Sequence, residues 1–189
     1  MKNIIIMALQ QEAPKMTEWD NVFFSGVGKV NAAICISTLL ERYKGQVKNV
    51  YNFGTAGGIT VEKGLHKVGT FIQRDMMCGA LGFDKYQTPF ELNRGIVVNP
   101  NGLCCATSDS FITTKDLLTT ESDIDLVDME SYAIAKALIP YQRIKIDIQF
   151  HCYKYVSDRA DSSASKDWGK NISEGEKYYI EKYEEMLNK

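Results

Sequence analysis

The chain has 189 residues, 44% of them hydrophobic and 24% charged, and a formal net charge of −2. That length and balance predict one globular domain over residues 1–189 with a sizeable core. They exclude a broad basic surface for nucleic acid, and the apolar runs are far too short to span a bilayer.

Residues 4–9 read as a central strand, apolar on both faces. Gln10-Gln11-Glu12 follows with no small-residue cleavage site, so the segment is a strand and not a secretory leader. Glu12 leaves that strand at its carboxyl end, the edge where open α/β sheets hold ligands. Residues 22–24 form a short second strand. Next comes Ser25-Gly26-Val27-Gly28-Lys29-Val30-Asn31, half of a dinucleotide fingerprint with Asn31 at the third glycine position. Val30, Ala33, Ile34, Ser37, Leu39 and Leu40 fall at helical spacing and predict a helix to about Tyr43, ended by Gly45.

Residues 47–53 read as the next buried strand, running into a predicted turn, Asn52-Phe53-Gly54-Thr55-Ala56-Gly57-Gly58-Ile59. Its glycines are expected to allow positive φ and close approach of a ligand to the main chain. Exposed N–H groups there suit an anion, a water or a sugar oxygen; the alternative is a turn whose glycines serve packing only. Strands are expected over 68–73, 95–98 and 103–107, with residues 76–91 as a loop. A short strand over 124–127 leads into a helix over 129–138, closed by Pro140. A long alternating strand over 144–156 follows. Ser165 or Asp167 then caps a final helix to about Leu187, whose charged residues, Glu174, Glu176, Lys177, Glu181, Lys182 and Glu184, read as a solvated face. Strands and helices alternate without repeat or linker, which predicts a three-layer α/β/α sandwich with a mixed central sheet.

Five cysteines, Cys35, Cys78, Cys104, Cys105 and Cys152, occur without CxxC spacing. They support neither a disulfide framework nor a zinc site and fit a reducing cytoplasm. His66 and His151 lie in no Ser-His-Asp or Cys-His motif. The acidic residues are more informative. Glu12, Asp128, Glu130 and Asp158 all follow strand ends, and together at one sheet edge they form a candidate acid/base site. Taken singly, each has a structural alternative: a solvated loop carboxylate, a helix cap or an Asp/Ser-rich turn.

With these residues in order, the chain resembles the nucleoside phosphorylase superfamily, and most closely the 5′-methylthioadenosine/S-adenosylhomocysteine nucleosidases. The resemblance runs through Gln11-Glu12, Gly26 to Ala33, Asn52 to Ile59, Thr107-Ser108-Asp109-Ser110-Phe111-Ile112, Val127 to Ala135 and Val156-Ser157-Asp158. It implies that Asp158, oriented by Ser157, is the general acid at purine N7, and that Phe111 stacks on the base while the Ile112 backbone reads its edge. Met129 would lie against the ribose, with Glu130, beside Asp128, accepting from its hydroxyls. Glu12 would be the base that activates water, held by Thr55 and a cation. Trp168 either covers the base pocket or fills the core.

Two departures from the family stand out. Lys154 occupies the position where the family usually has an arginine four residues before the catalytic aspartate, and a lysine lacks the planar fork. The chain is also short for the family, and residues 16–26 leave no room for the usual hairpin, so the fold is expected to lack it.

The chemistry suits these residue types independently. Breaking an N-glycosidic bond builds cationic character on the sugar and negative charge on the purine, and two carboxyl groups answer both. The expectation is therefore a purine nucleosidase that hydrolyses an adenine nucleoside, 5′-methylthioadenosine or S-adenosylhomocysteine, and releases adenine. No cofactor or metal is expected. The expected partner is the small-molecule purine nucleoside, with no nucleic acid or membrane, and by analogy the protein is a homodimer. Three alternatives stay open: a phosphate-dependent phosphorylase using Lys154 and Arg74, a catalytically weak nucleoside-binding protein, and a dinucleotide-dependent oxidoreductase.

Overall fold

The computed structural model describes residues 2–114, 123–144 and 146–188. Among the described residues, eight strands and four α-helices follow in chain order: β1 (Lys2–Met7), β2 (Val22–Phe24), α1 (Lys29–Arg42), β3 (Val47–Gly58), β4 (Gly64–Gln73), β5 (Gly95–Val97), β6 (Leu103–Thr107), β7 (Leu126–Asp128), α2 (Ser131–Arg143), β8 (Gln149–Asp158), α3 (Ala164–Asn171) and α4 (Glu176–Leu187). The strands form one mixed sheet. β2, β1, β3 and β8 run parallel in that order, while β7 joins β3 antiparallel. β4 pairs with β6 in parallel and with β5 and β8 antiparallel, and β6 pairs with β7. The pairings close a ring, β3–β8–β4–β6–β7–β3.

The strand period decides the layers. In β1, Ile4 and Ile6 face one way and Ile5 and Met7 the other, because successive side chains alternate across a strand. Ile4 and Ile6 pack with Val50 and Phe150 under Ile36, Leu39 and Leu40 of α1 and Ile134 and Leu138 of α2. Ile5 and Met7 pack with Phe53, Tyr153 and Tyr155 under Tyr179 and Tyr183 of α4. A mixed sheet between helical layers, the expected three-layer sandwich, is the result. Among the described residues, no helix is long and apolar enough to cross a membrane.

Several local expectations are corrected. The predicted turn at residues 52–59 is not a turn. β3 runs straight through it to Gly58, and Gly54, Gly57 and Gly58 are not among the positive-φ glycines. Their lack of a side chain serves close packing: a Cβ on Gly57 would stand 3.0 Å from both Val127 Cγ2 and Ala160 Cβ and 3.1 Å from Asp158 Oδ1. The α1 core face is Ala32, Ile36, Leu39 and Leu40, which leaves Val30 and Ile34 exposed.

Pro140 lies inside α2 and does not close it; it sits in the last turn, where the carbonyl of Pro140 still accepts from Ile144 N at 3.3 Å. β8 starts at Gln149, later than expected, and residue 145 of the expected strand lies outside the described residues. The final helix is two helices. Gly175, at the start of α4, packs against the Tyr179 hydroxyl with no room for a side chain. Glu176 is buried, not solvated, and accepts from Lys15 N at 2.5 Å.

Candidate active site

Glu12 is positioned by a reversal of the chain. After β1, a single 3-10 turn over Gln10–Glu12 rolls the side chain back, and Leu9 N donates to its Oε2 at 3.1 Å. Thr55, on β3, donates to Oε1 twice, from its N–H at 2.7 Å and from its hydroxyl at 2.8 Å. The carboxyl is buried and clipped to the sheet. Gly54 makes this possible, since a Cβ there would stand 3.2 Å from Glu12 Oε1 and 3.3 Å from Lys154 Nζ.

Beneath Glu12 lies a buried charge network. Asp128, ending β7, accepts from Thr107 Oγ1 at 2.5 Å and Ser131 N at 2.9 Å, and pairs with Lys154 Nζ at 2.9 Å. Burial pushes the Asp128 carboxyl up, but the Lys154 charge and these hydrogen bonds outweigh it and hold the group below its ordinary range. Burial pulls Lys154 down, yet Asp128 opposite keeps the ammonium above its ordinary value.

Glu130 immediately precedes α2, and its carboxyl accepts from Gly28 N at 2.9 Å. Gly26 and Gly28 have φ of 82° and 97°, where a side chain is strained, so here the glycines do serve backbone conformation. Burial raises the Glu130 carboxyl to about 7; Asp128 and Glu12 push the same way, and Lys154 and the Gly28 N–H oppose. The half-fingerprint at residues 25–31 thus presents its N–H groups to the chain's own acids: Lys29 N donates to Asp109 Oδ1 at 2.8 Å.

The other end of the site is aromatic. Asp158 ends β8 and accepts from Ser157 Oγ and Ala160 N, both at 2.9 Å. Burial raises its carboxyl above the ordinary range, against those two hydrogen bonds. Trp168, on α3, meets Phe111 edge to face, with ring centroids 6.3 Å apart and planes at 71°. The loop that carries Phe111 is pinned at its base. Arg74 donates to Ser108 Oγ at 2.7 Å, Asp109 N donates to Asp75 Oδ2 at 3.1 Å, and Lys29 forms an ion pair with Asp75.

These groups surround a cavity of about 240 Å³. Of the residues expected at a site, Glu12, Thr55, Phe111, Ile112, Asp128, Met129, Glu130, Asp158 and Trp168 line it. Lys154 and Ser157 lie behind the wall, the first on Asp128 and the second on Asp158. Leu9, Val27, Ser110 and Ser165 also line the cavity and were not foreseen. Leu9 adjoins a singled-out stretch and Val27 and Ser110 lie inside two of them, which was their available signal; Ser165 carried none beyond helix capping. Among the described residues, no three His, Cys, Asp or Glu side chains converge to hold a metal ion. The arrangement can do acid/base chemistry: a firmly held carboxyl group at one place and, beside an aromatic pair at another, a carboxyl whose protonated form burial favours.

No family model matches the chain. The 5′-methylthioadenosine/S-adenosylhomocysteine nucleosidase of Exiguobacterium sp. is 30% identical over 168 residues, covering 75% of this chain and 68% of the relative. A mutant of Helicobacter pylori MTAN with 5′-methylthioadenosine in its active site superposes with a TM-score of 0.85 over 99% of this chain and 98% of that one, at 16% identity. The futalosine hydrolase of Helicobacter pylori superposes with the same TM-score of 0.85 over 100% and 97%, also at 16% identity. The two structural likenesses speak to the fold.

Proposed function

The chain belongs to the 5′-methylthioadenosine/S-adenosylhomocysteine nucleosidase family, within the nucleoside phosphorylase superfamily, and on that footing we propose that it hydrolyses the N-glycosidic bond of an adenine nucleoside, 5′-methylthioadenosine or S-adenosylhomocysteine, releasing adenine. The observation that carries the reading is that Glu12 and Asp158 line one cavity, the first held by three hydrogen bonds and the second with its carboxyl raised by burial.

The purine lies between Phe111 and the Asp158 carboxyl, with Ile112 at its edge. Protonated Asp158 hydrogen-bonds N7 and supplies the proton that the departing purine needs; Ser157 fixes the carboxyl. Met129 lies under the ribose and Glu130 accepts from its hydroxyls. As the bond to the base breaks, its electron pair leaves with the purine. A water attacks the sugar carbon, and Glu12 takes the water's proton. General acid and general base each contribute roughly 10²–10⁴-fold in such reactions, following the two-carboxyl logic of glycoside hydrolysis.

Water is favoured over phosphate by the charge around the cavity. Asp128, Glu130 and Glu12 face one buried ammonium, Lys154, already paired with Asp128. Arg74, the other cation considered for a phosphate, is engaged by Ser108. A phosphate dianion would meet more negative than positive charge there. The reading extends to a homodimer in the cytoplasm: exposed Val27, Val30 and Ile34 offer apolar surface for a second copy, and the five cysteines are unpaired.

The test is a panel of nucleosides varied in base and 5′-group, with free-base release measured. Adenine release from 5′-thio nucleosides is expected. Failure to release a base from any of them would refute the reading.

A further inference from the structure

We propose that Trp168 is a positioning residue for hydrolysis, its indole N–H setting the direction of the Thr55 hydroxyl and so choosing which oxygen of Glu12 takes the proton of water. The inference rests on the nucleosidase reading above. Trp168 Nε1 stands 3.1 Å from Thr55 Oγ1. An indole N–H only donates, so the Thr55 oxygen accepts there and its own proton turns to Glu12 Oε1, 2.8 Å away. Oε1 also accepts from Thr55 N at 2.7 Å, and both of its lone pairs are engaged. Oε2 accepts from Leu9 N at 3.1 Å and keeps a lone pair. The proton of an attacking water therefore goes to Oε2. Without the indole N–H, the Thr55 hydroxyl can rotate toward the cavity, donate to the water itself, and leave Oε1 free to compete.

The same side chain reaches the base end. Its ring meets Phe111 edge to face at 6.3 Å. Its helix is tied to the acid, because Asn171 Nδ2 donates to the carbonyl of Ser157, next to Asp158, at 2.7 Å. Trp168 thus links the aromatic that stacks on the purine to the carboxylate that receives the proton, and the base in its place holds the water half in register.

The test is a double-mutant cycle read as kcat and KM for adenine release from 5′-methylthioadenosine. Trp168→Phe keeps a ring against Phe111 and removes the N–H. It is expected to lower kcat about 3- to 10-fold, the worth of one directed hydrogen bond, with KM little changed. In a Thr55→Val background, which has no hydroxyl to direct, the same change is expected to cost nothing further; in Thr55→Ser it costs as much as in the wild type. Benzothienylalanine at position 168 deletes the N–H without changing the ring shape. It is expected to reproduce the loss, and it decides the matter should Trp168→Phe fail to fold. An unchanged kcat, or equal losses in the Thr55→Val and Thr55→Ser backgrounds, would overturn the inference and leave the nucleosidase reading standing. A wild-type protein that releases no adenine would sink both.

Discussion

Lys154 Nζ stands 2.9 Å from Asp128 Oδ2, and both side chains are almost wholly buried. A buried pair of this kind is sensitive to the loss of one member, because the survivor becomes an uncompensated charge. Lys154→Met is expected to destabilise the fold by about 3–5 kcal/mol, and Lys154→Met with Asp128→Asn to recover most of that loss. Urea unfolding of the two variants checks it; equal destabilisation by single and double variants would show that the pair is not the origin.

Glu130 gives the fold a pH dependence. Burial raises its carboxyl from 4.5 to about 7. Between those values the folded chain holds a proton that the unfolded chain has released, so this contribution is greatest below pH 4.5 and is lost as pH rises through 7. Its full size is on the order of a few kcal/mol. The unfolding midpoint of the wild type is expected to fall from pH 5 to 8 relative to Glu130→Gln; parallel profiles would remove Glu130 as the cause.

Gly57 tests the geometry of the acid. Gly57→Ala would press a methyl group to 3.1 Å from Asp158 Oδ1 and 3.0 Å from Val127 Cγ2. Overpacking of this kind costs about 1–3 kcal/mol, and one of the neighbours that must yield is the carboxyl proposed as the general acid. The loss of kcat is expected to exceed what the stability change explains at a temperature where the variant is fully folded. A stable variant with normal kcat would show that Asp158 tolerates displacement.

Asp158 also predicts a pH profile. Its carboxyl is raised by burial and must hold a proton to act as the acid. The rate is expected to fall as pH rises through that value, and Asp158→Asn to lose roughly 10²–10⁴-fold in kcat together with the alkaline limb. A surviving alkaline limb in Asp158→Asn would assign it to another group.

Much of this was legible in the residues. The alternation of Ile4, Ile5, Ile6 and Met7 demanded a strand covered on both faces, and both faces are covered. Acids at strand ends were visible as a set, and Glu12, Asp128, Glu130 and Asp158 do line one cavity. What the sequence hid were spatial reasons for local choices. Glycines in a strand and glycines in a turn look alike in a single chain, so Gly57, which yields space to Asp158, read as part of a turn. Glu176 sat in a run of charges, and the backbone N–H that its buried carboxyl accepts from belongs to Lys15, 161 positions away. Val30 and Ile34 fit a helical stripe, but α1 turns Ile36 and Leu40 to the core.

The central claim is that water, activated by Glu12, cleaves the bond. The direct measurement is the initial rate of adenine release from 5′-methylthioadenosine in buffer scavenged of phosphate, compared with the rate in millimolar phosphate, for the wild type and Glu12→Gln. Release is expected at full rate without phosphate and nearly absent in Glu12→Gln under either condition. Release that depends absolutely on phosphate, or that survives in Glu12→Gln, would contradict it.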